Sequence, residues 1–259
     1  MPFAELNGAR IHYLLEGPAS APVLAFSNSL GTNYSMWDSQ AEESRKKFRI
    51  LRYDTRGHGQ SSVTPGIYSI EQLGNDMIRL LDTLRLDRVH FCGLSMGGMI
   101  GMGLGANAPE RLDKLVLSNT AAKIGTAESW NARIEMVRKD GMKKVAAAVL
   151  ERWFTPSFRM NEPAAVALVQ HMLEETDPEG YASCCAAVRD FDYREKLDGI
   201  CCPTLVISGT HDAATTPTDG QFLADHIAGA QYAELNAAHL SNVEDRENFS
   251  SRLGIFLNG

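Results

Sequence analysis

The sequence predicts an α/β fold: a mostly parallel central sheet flanked by helices, with a helical cap inserted into it. Three observations carry that reading. Segments rich in Val, Ile and Leu alternate with segments of helical period, the rhythm of a parallel sheet covered by helices. The rhythm breaks once, between Ala121 and about Lys196, where only helical patterns occur. Finally, Gly93-Leu94-Ser95-Met96-Gly97 fits G-x-S-x-G at a junction from strand pattern to helix pattern.

Taken in order, Phe3–Leu6 and 10–15 flank Asn7-Gly8 and read as a hairpin. Strands are expected at Val23–Ser27, Arg49–Tyr53, 89–93, 114–118, 204–208 and 232–235, all β-branched or aliphatic runs bounded by turn residues. Helices are expected at 34–45, 70–84, Met96–Asn107, 217–227 and 242–256. Within the insert, Glu162-Pro163 and Asp177-Pro178 mark helix starts, with proline at the first helical position. Met142, Val145, Val149 and Trp153 form one apolar stripe, and Val166, Val169, Met172 and Leu173 another. The expected division is a core of 1–121 with 197–259, and a cap of 122–196. An insert there lies over the carboxyl ends of the strands, where open α/β sheets bind ligands.

The 259 residues carry 25 Lys+Arg against 32 Asp+Glu, a net charge of −7. That balance disfavours a broad nucleic-acid or anionic-membrane surface. The stretch 91–109 is uncharged and near the length of a membrane span, but it holds six glycines, poor helix formers in water. It reads better as a buried strand, a tight turn, and a helix whose Gly97, Gly101 and Gly105 face sits close against a sheet. The opening MPFAELNGARIHY lacks the layout of a secretory signal. The five cysteines include no CxxC, so a zinc site has no support, and reduced thiols in a cytoplasmic protein are expected. Cys184 and Cys185 share a helical stripe with Tyr181 and Val188 and read as core.

The motif at Ser95 needs partners, because a serine hydroxyl is a poor nucleophile until a base takes its proton. In this architecture they follow in the order Ser, acid, His, each after a later strand. Of seven histidines, His239 occupies the loop between the last strand and the last helix and is the candidate base. Asp212 follows the 204–208 strand and is the candidate acid; Asp190, Asp192 and Asp198 are less well placed, in the insert or before the strand. An oxyanion hole needs two backbone N–H groups. Met96 supplies one, and the loop Ser27-Asn28-Ser29-Leu30-Gly31 the other, with Leu30 preferred over Ser29.

These residues resemble the α/β-hydrolase superfamily, and Tyr53-Asp54-Thr55-Arg56-Gly57-His58-Gly59 with Ser61 is similar to a turn those enzymes carry. The segments SNSLGT (27–32), CGLSMGGMIG (92–101), SNTAAKIGTAESWNARI (118–134) and LERWFTP (150–156) resemble the 3-oxoadipate enol-lactonases of aromatic catabolism. Asn28-Ser29 stands where many members of the superfamily have His-Gly, a departure that agrees with the lactonase branch. The resemblance implies an α/β-hydrolase fold and hydrolysis of the enol-lactone ring to 3-oxoadipate, in the β-ketoadipate pathway, with no metal or organic cofactor. Its partner is then a small acidic lactone, with neither nucleic acid nor membrane; oligomeric state stays open, a homo-oligomer included.

An acidic substrate calls for a cation. Arg133 shares a helical face with Trp130, Ile134 and Val137, where an unpaired guanidinium is costly and a carboxylate would pair it. Trp130, Trp153 and Ser29 are further candidates for the substrate pocket. The triad alone is equally compatible with a carboxylesterase, a carbon–carbon bond hydrolase of ring-fission products, or a ligand receptor built on a hydrolase scaffold.

Overall fold

In the computed structural model, which describes residues 2–6 and 8–259, eight strands form one sheet in the order β1-β2-β4-β3-β5-β6-β7-β8. They are β1 (Phe3–Leu6), β2 (Ala9–Glu16), β3 (Val23–Ser27), β4 (Arg49–Tyr53), β5 (Val89–Leu94), β6 (Leu112–Ser118), β7 (Thr204–Gly209) and β8 (Gln231–Leu235). β1 and β2 pair antiparallel, β2 joins β4 antiparallel, and every remaining pairing is parallel. β3 and β7 are buried along their whole length, as expected for strands covered on both faces. Asn7, half of the turn expected between β1 and β2, lies outside the described residues.

The helices outside the insert are α1 (Asp38–Ser44), α2 (Ile70–Thr83) and α3 (Met96–Asn107) early in the chain. Between β6 and β7 come α4 (Ala127–Asp140), α5 (Met142–Trp153), α6 (Pro156–Asn161), α7 (Pro163–Glu175) and α8 (Pro178–Asp190). Then follow α9 (Pro217–His226), α10 (Ser241–Glu244) and α11 (Arg246–Asn258). α1 packs with α11, while α2 packs on α3 and α3 on β5 and β6. Gly101 of α3 faces Phe91 and Leu115, and Gly105 faces Leu115 and Ile200, so the glycine stripe does lie on the sheet. Among the described residues no helix is long and apolar enough to cross a membrane.

Two predicted helices are each broken into two. The first opens as a 3₁₀ turn, Tyr34–Trp37, before α1. The last is interrupted at Asp245, whose φ of −124° and ψ of 53° separate α10 from α11. The break has a tertiary cause. Glu244, closing α10, accepts hydrogen bonds from the backbone N–H groups of Ala238 and Thr155, tying the loop before His239 to the start of α6. That pull is invisible to local periodicity.

The insert contains only helices, α4 packing on α8 and α5 on α7. Asp177 caps α8 by accepting from the N–H groups of Glu179 and Gly180. α8 approaches the turn after β4 backbone to backbone: a Cβ on Gly180 would stand 2.2 Å from the Gly57 carbonyl oxygen. That turn is anchored by Arg56, which grips the Asp76 carboxylate of α2 through Nε (2.7 Å) and Nη2 (2.6 Å) in a buried two-pronged ion pair.

Candidate active site

Ser95 stands between β5 and α3 with φ 56° and ψ −114°, a backbone region costly for a residue with a side chain. The surroundings enforce it. The Ser95 N–H donates to the Ser118 carbonyl (3.0 Å), and the Thr120 hydroxyl donates to the Ser95 carbonyl (2.8 Å). The turn closes only because its flanks lack side chains: a Cβ on Gly93 would lie 2.2 Å from the Gly97 oxygen, and one on Gly97 2.2 Å from the Ser27 oxygen. The start of α3 is therefore directly behind the Ser95 hydroxyl, where its dipole favours developing negative charge.

Asp212 and His239, from the loops after β7 and β8, meet with Nδ1 and Oδ2 2.8 Å apart, both buried. The same carboxylate accepts from Ala214 N–H (2.7 Å), Thr215 N–H (3.0 Å), the Thr215 hydroxyl (2.7 Å) and the Asn119 amide (3.0 Å). Burial alone pushes this carboxyl up, but the His239 ring and the Thr215 and Asn119 donors outweigh it and hold it well below the usual carboxylate range. Asp212 is thus an ionised acceptor that fixes the Nδ1–H tautomer of His239, leaving Nε2 free to take a proton. Ser95 and His239 border one cavity. Among the described residues no hydrogen bond joins their side chains, a contact that commonly tightens only with substrate bound.

The loop after β3 is held from several sides. Thr32 donates to the Ser29 carbonyl, Asn28 donates to the Tyr53 carbonyl, and Thr176 from the insert donates to the Gly31 carbonyl. The Gly31 N–H donates to Nε2 of His58 at 2.8 Å. His58 is buried, and burial lowers its pKa to about 4, so the ring is neutral and its Nε2 remains an acceptor. The N–H groups of Leu30 and Met96 have no acceptor among the described residues. Both are available to an oxyanion.

The cavity has a volume of about 220 Å³. Ser29, Leu30, Ser95 and His239 border it from the core, and Trp130, Arg133, Arg152 and Trp153 from α4 and α5. Trp130 is fixed by its indole N–H donating to the Ile124 carbonyl (2.7 Å), with the Arg133 guanidinium 5.1 Å from its ring centre. Trp153 lies against His239, ring centres 5.8 Å apart. The Ser29 hydroxyl is buried without a hydrogen-bond partner, a condition that a ligand oxygen would relieve. Among its lining residues are two arginines and no carboxylate. Among the described residues no three His, Cys, Asp or Glu side chains gather as a metal site would require.

The family described as alpha/beta hydrolase fold matches residues 22–245. The chain belongs to the α/β-hydrolase family. It is 46% identical over 240 residues to 3-oxoadipate enol-lactonase 2 of Acinetobacter baylyi, covering 93% of this chain and 90% of that one. A second enol-lactonase of the same organism is 40% identical over 243 residues, covering 94% and 91%. The crystal structure of the enol-lactonase from Burkholderia xenovorans LB400 superposes with a TM-score of 0.98 at 47% identity, with full coverage of both chains.

In this hydrolase Ser95, Asp212 and His239 follow β5, β7 and β8, while Trp130, Arg133 and Trp153 come from the insert helices α4 and α5. Ser29, Leu30, Ser95, Trp130, Arg133, Trp153 and His239 border one cavity, Met96 follows Ser95, and Asp212 backs His239. Four residues were not picked. Asn119 and Thr215 hold Asp212, His58 holds the Gly31 N–H, and Arg152 is the second cation. Thr215 had a weak signal, a hydroxyl three residues after an Asp in a loop, close enough in the chain to reach its carboxylate. Asn119 had a weaker one, its place just past the end of a strand.

Proposed function

We propose that this protein hydrolyses 3-oxoadipate enol-lactone to 3-oxoadipate through an acyl-enzyme on Ser95. The observation that carries the reading is the cavity itself: a nucleophile and base candidate beside a small space whose only charged lining residues, among those described, are arginines. Its 220 Å³ is below the roughly 300–1,000 Å³ of pockets for drug-sized ligands, which suits a small anion. The enol-lactonase relatives, similar along nearly the whole chain, support the choice of ring.

In this reading His239 Nε2 takes the Ser95 proton as Oγ attacks the lactone carbonyl carbon. The oxyanion accepts from the Leu30 and Met96 N–H groups, and Asp212 stabilises the imidazolium. Collapse breaks the acyl–oxygen bond of the ring, and the enol oxygen leaves with the proton from His239. The enol then becomes the ketone while still tethered through the acyl group. Water, deprotonated by His239, attacks the acyl-enzyme, restores the Ser95 hydroxyl and releases the second carboxylate. Arg133 pairs with the carboxylate already on the substrate, Trp130, Trp153 and Ser29 complete the pocket, and residues 122–196 act as the cap over a core of 1–121 and 197–259.

The test is the ratio of kcat/KM for the enol-lactone to that for p-nitrophenyl acetate. A specialist pocket that pairs a substrate charge predicts a ratio of at least about a hundred. A ratio near or below one identifies a general esterase and overturns the reading.

A further inference from the structure

The enol-lactone carries one carboxylate, yet the cavity presents two guanidiniums. Arg133 leaves α4 and Arg152 leaves α5, and both border the space that contains Ser95. Among the described residues neither makes an ion pair with a carboxylate, and the lining of the cavity they border offers none. Several other arginines are matched: Arg52, Arg56, Arg111, Arg138 and Arg194 each hold an Asp or Glu. Two like charges facing one small cavity without a counter-charge are unfavourable until an anion enters.

The two cations also come from different helices and have different neighbours. Arg133 lies over the Trp130 ring. Arg152 directly precedes Trp153, whose ring lies against His239 and whose carbonyl accepts the Leu240 N–H at 3.2 Å. Arg152 and Ala213 border both the inner cavity and a larger outer groove of about 850 Å³. Burial and the neighbouring Arg133 draw the Arg152 guanidinium below its ordinary pKa, while Asp212 pulls the other way.

We propose that Arg152 forms a second carboxylate subsite, at the His239 end of the cavity, so that Arg133 and Arg152 together recognise a short dicarboxylate. Hydrolysis of a lactone that already bears one carboxylate generates such a molecule: water adds, the acyl–oxygen bond breaks, and the new carboxyl group loses its proton beside Ser95. Arg152 receives that new charge at the border with the outer groove. The enzyme is then subject to inhibition by its own product and by unreactive dicarboxylates of the same span. The inference rests on the proposed function only for the identity of the dicarboxylate; the two-cation site stands on the cavity.

Calorimetric titration with adipate and with hexanoate, which share a six-carbon chain and differ by one carboxylate, tests this without turnover. The wild-type protein is expected to bind adipate at least about tenfold more tightly than hexanoate, the scale of one added charge-assisted contact. Arg152→Gln is expected to bring the two affinities together by weakening adipate alone, and Arg133→Gln to weaken both ligands. Arg152→Lys, which keeps the charge and loses the planar fork, retains part of the preference and stands in should the glutamine variant not fold. Equal wild-type affinities, or equal weakening of both ligands by Arg152→Gln, would overturn the proposal. Enol-lactone turnover is measured separately: a protein inert toward the lactone that still prefers adipate through Arg152 would sink the proposed substrate and keep the second subsite.

Discussion

His58 is the clearest case of a residue whose protonation state matters to the site without touching it. Its Nε2 accepts the N–H of Gly31, next to Leu30, and its Nδ1–H points to the Arg56 carbonyl at 3.4 Å. Only the neutral ring can accept there. Its folded pKa, lowered by burial to about 4, lies below the unfolded histidine value of about 6.5. The unfolded chain therefore binds the extra proton between those values. The stability His58 contributes is complete above about pH 6.5 and is lost as pH falls toward 4, by of order 3 kcal/mol. Chemical denaturation across that range should show the loss, and His58→Gln, which has no proton to gain, should show a shallower slope; identical slopes would contradict this role. The sequence made His239 and Asp212 legible because their order and their places after strands are local facts. It did not make His58 or Asn119 legible, because each acts on a loop distant in the chain, and only the folded sheet brings those loops together.

At the scale of elements, the Arg56–Asp76 pair fastens the turn after β4 to α2, and α8 of the insert rests on the same turn through Gly57 and Gly180. The pair is almost fully buried, with side chains 6% and 9% exposed. Removing one partner leaves the other charged in a dry site, so Arg56→Ala is expected to cost about 3–5 kcal/mol of unfolding free energy. Denaturant titration of the variant measures it, and a loss under about 1 kcal/mol would contradict the anchoring role. Strands and most helices were legible because period and turn chemistry are written locally. The splits at Trp37 and Asp245 were not. Glu244 turns its carboxylate to Ala238 and Thr155 rather than to its own helix, and a contact between loops leaves no periodic trace. Likewise Gly180 gave no sign of its purpose until its neighbour Gly57 was known.

Across the whole molecule, the thiols divide by burial. Cys92, Cys184, Cys185 and Cys202 are buried and Cys201 is exposed, all five unpaired. Burial raises the thiols of Cys92 and Cys184 and pushes Cys185 up to about 12, so thiolate is scarce where access is also blocked. A thiol reagent added to the native protein should therefore modify one cysteine rapidly and spare activity, with all five reacting after unfolding. Rapid modification of a second thiol, or inactivation in step with the first, would contradict this packing. The net charge of −7 sits on a molecule whose candidate site is locally cationic, so a pull on an anion comes from the cavity and not from the overall field. The overall balance disfavours broad polyanion surfaces but could not reveal that pocket, because Arg133 and Arg152 come from different helices of the insert.

The central claim is that Ser95, activated by His239, opens an activated cyclic ester. Loss of ultraviolet absorbance on mixing purified protein with 3-oxoadipate enol-lactone, followed for the wild type and for Ser95→Ala, tests it most directly. The account predicts catalysed ring opening by the wild type and a fall in kcat of about 10⁴-fold or more in the variant. Turnover of the lactone by Ser95→Ala near the wild-type rate would contradict it.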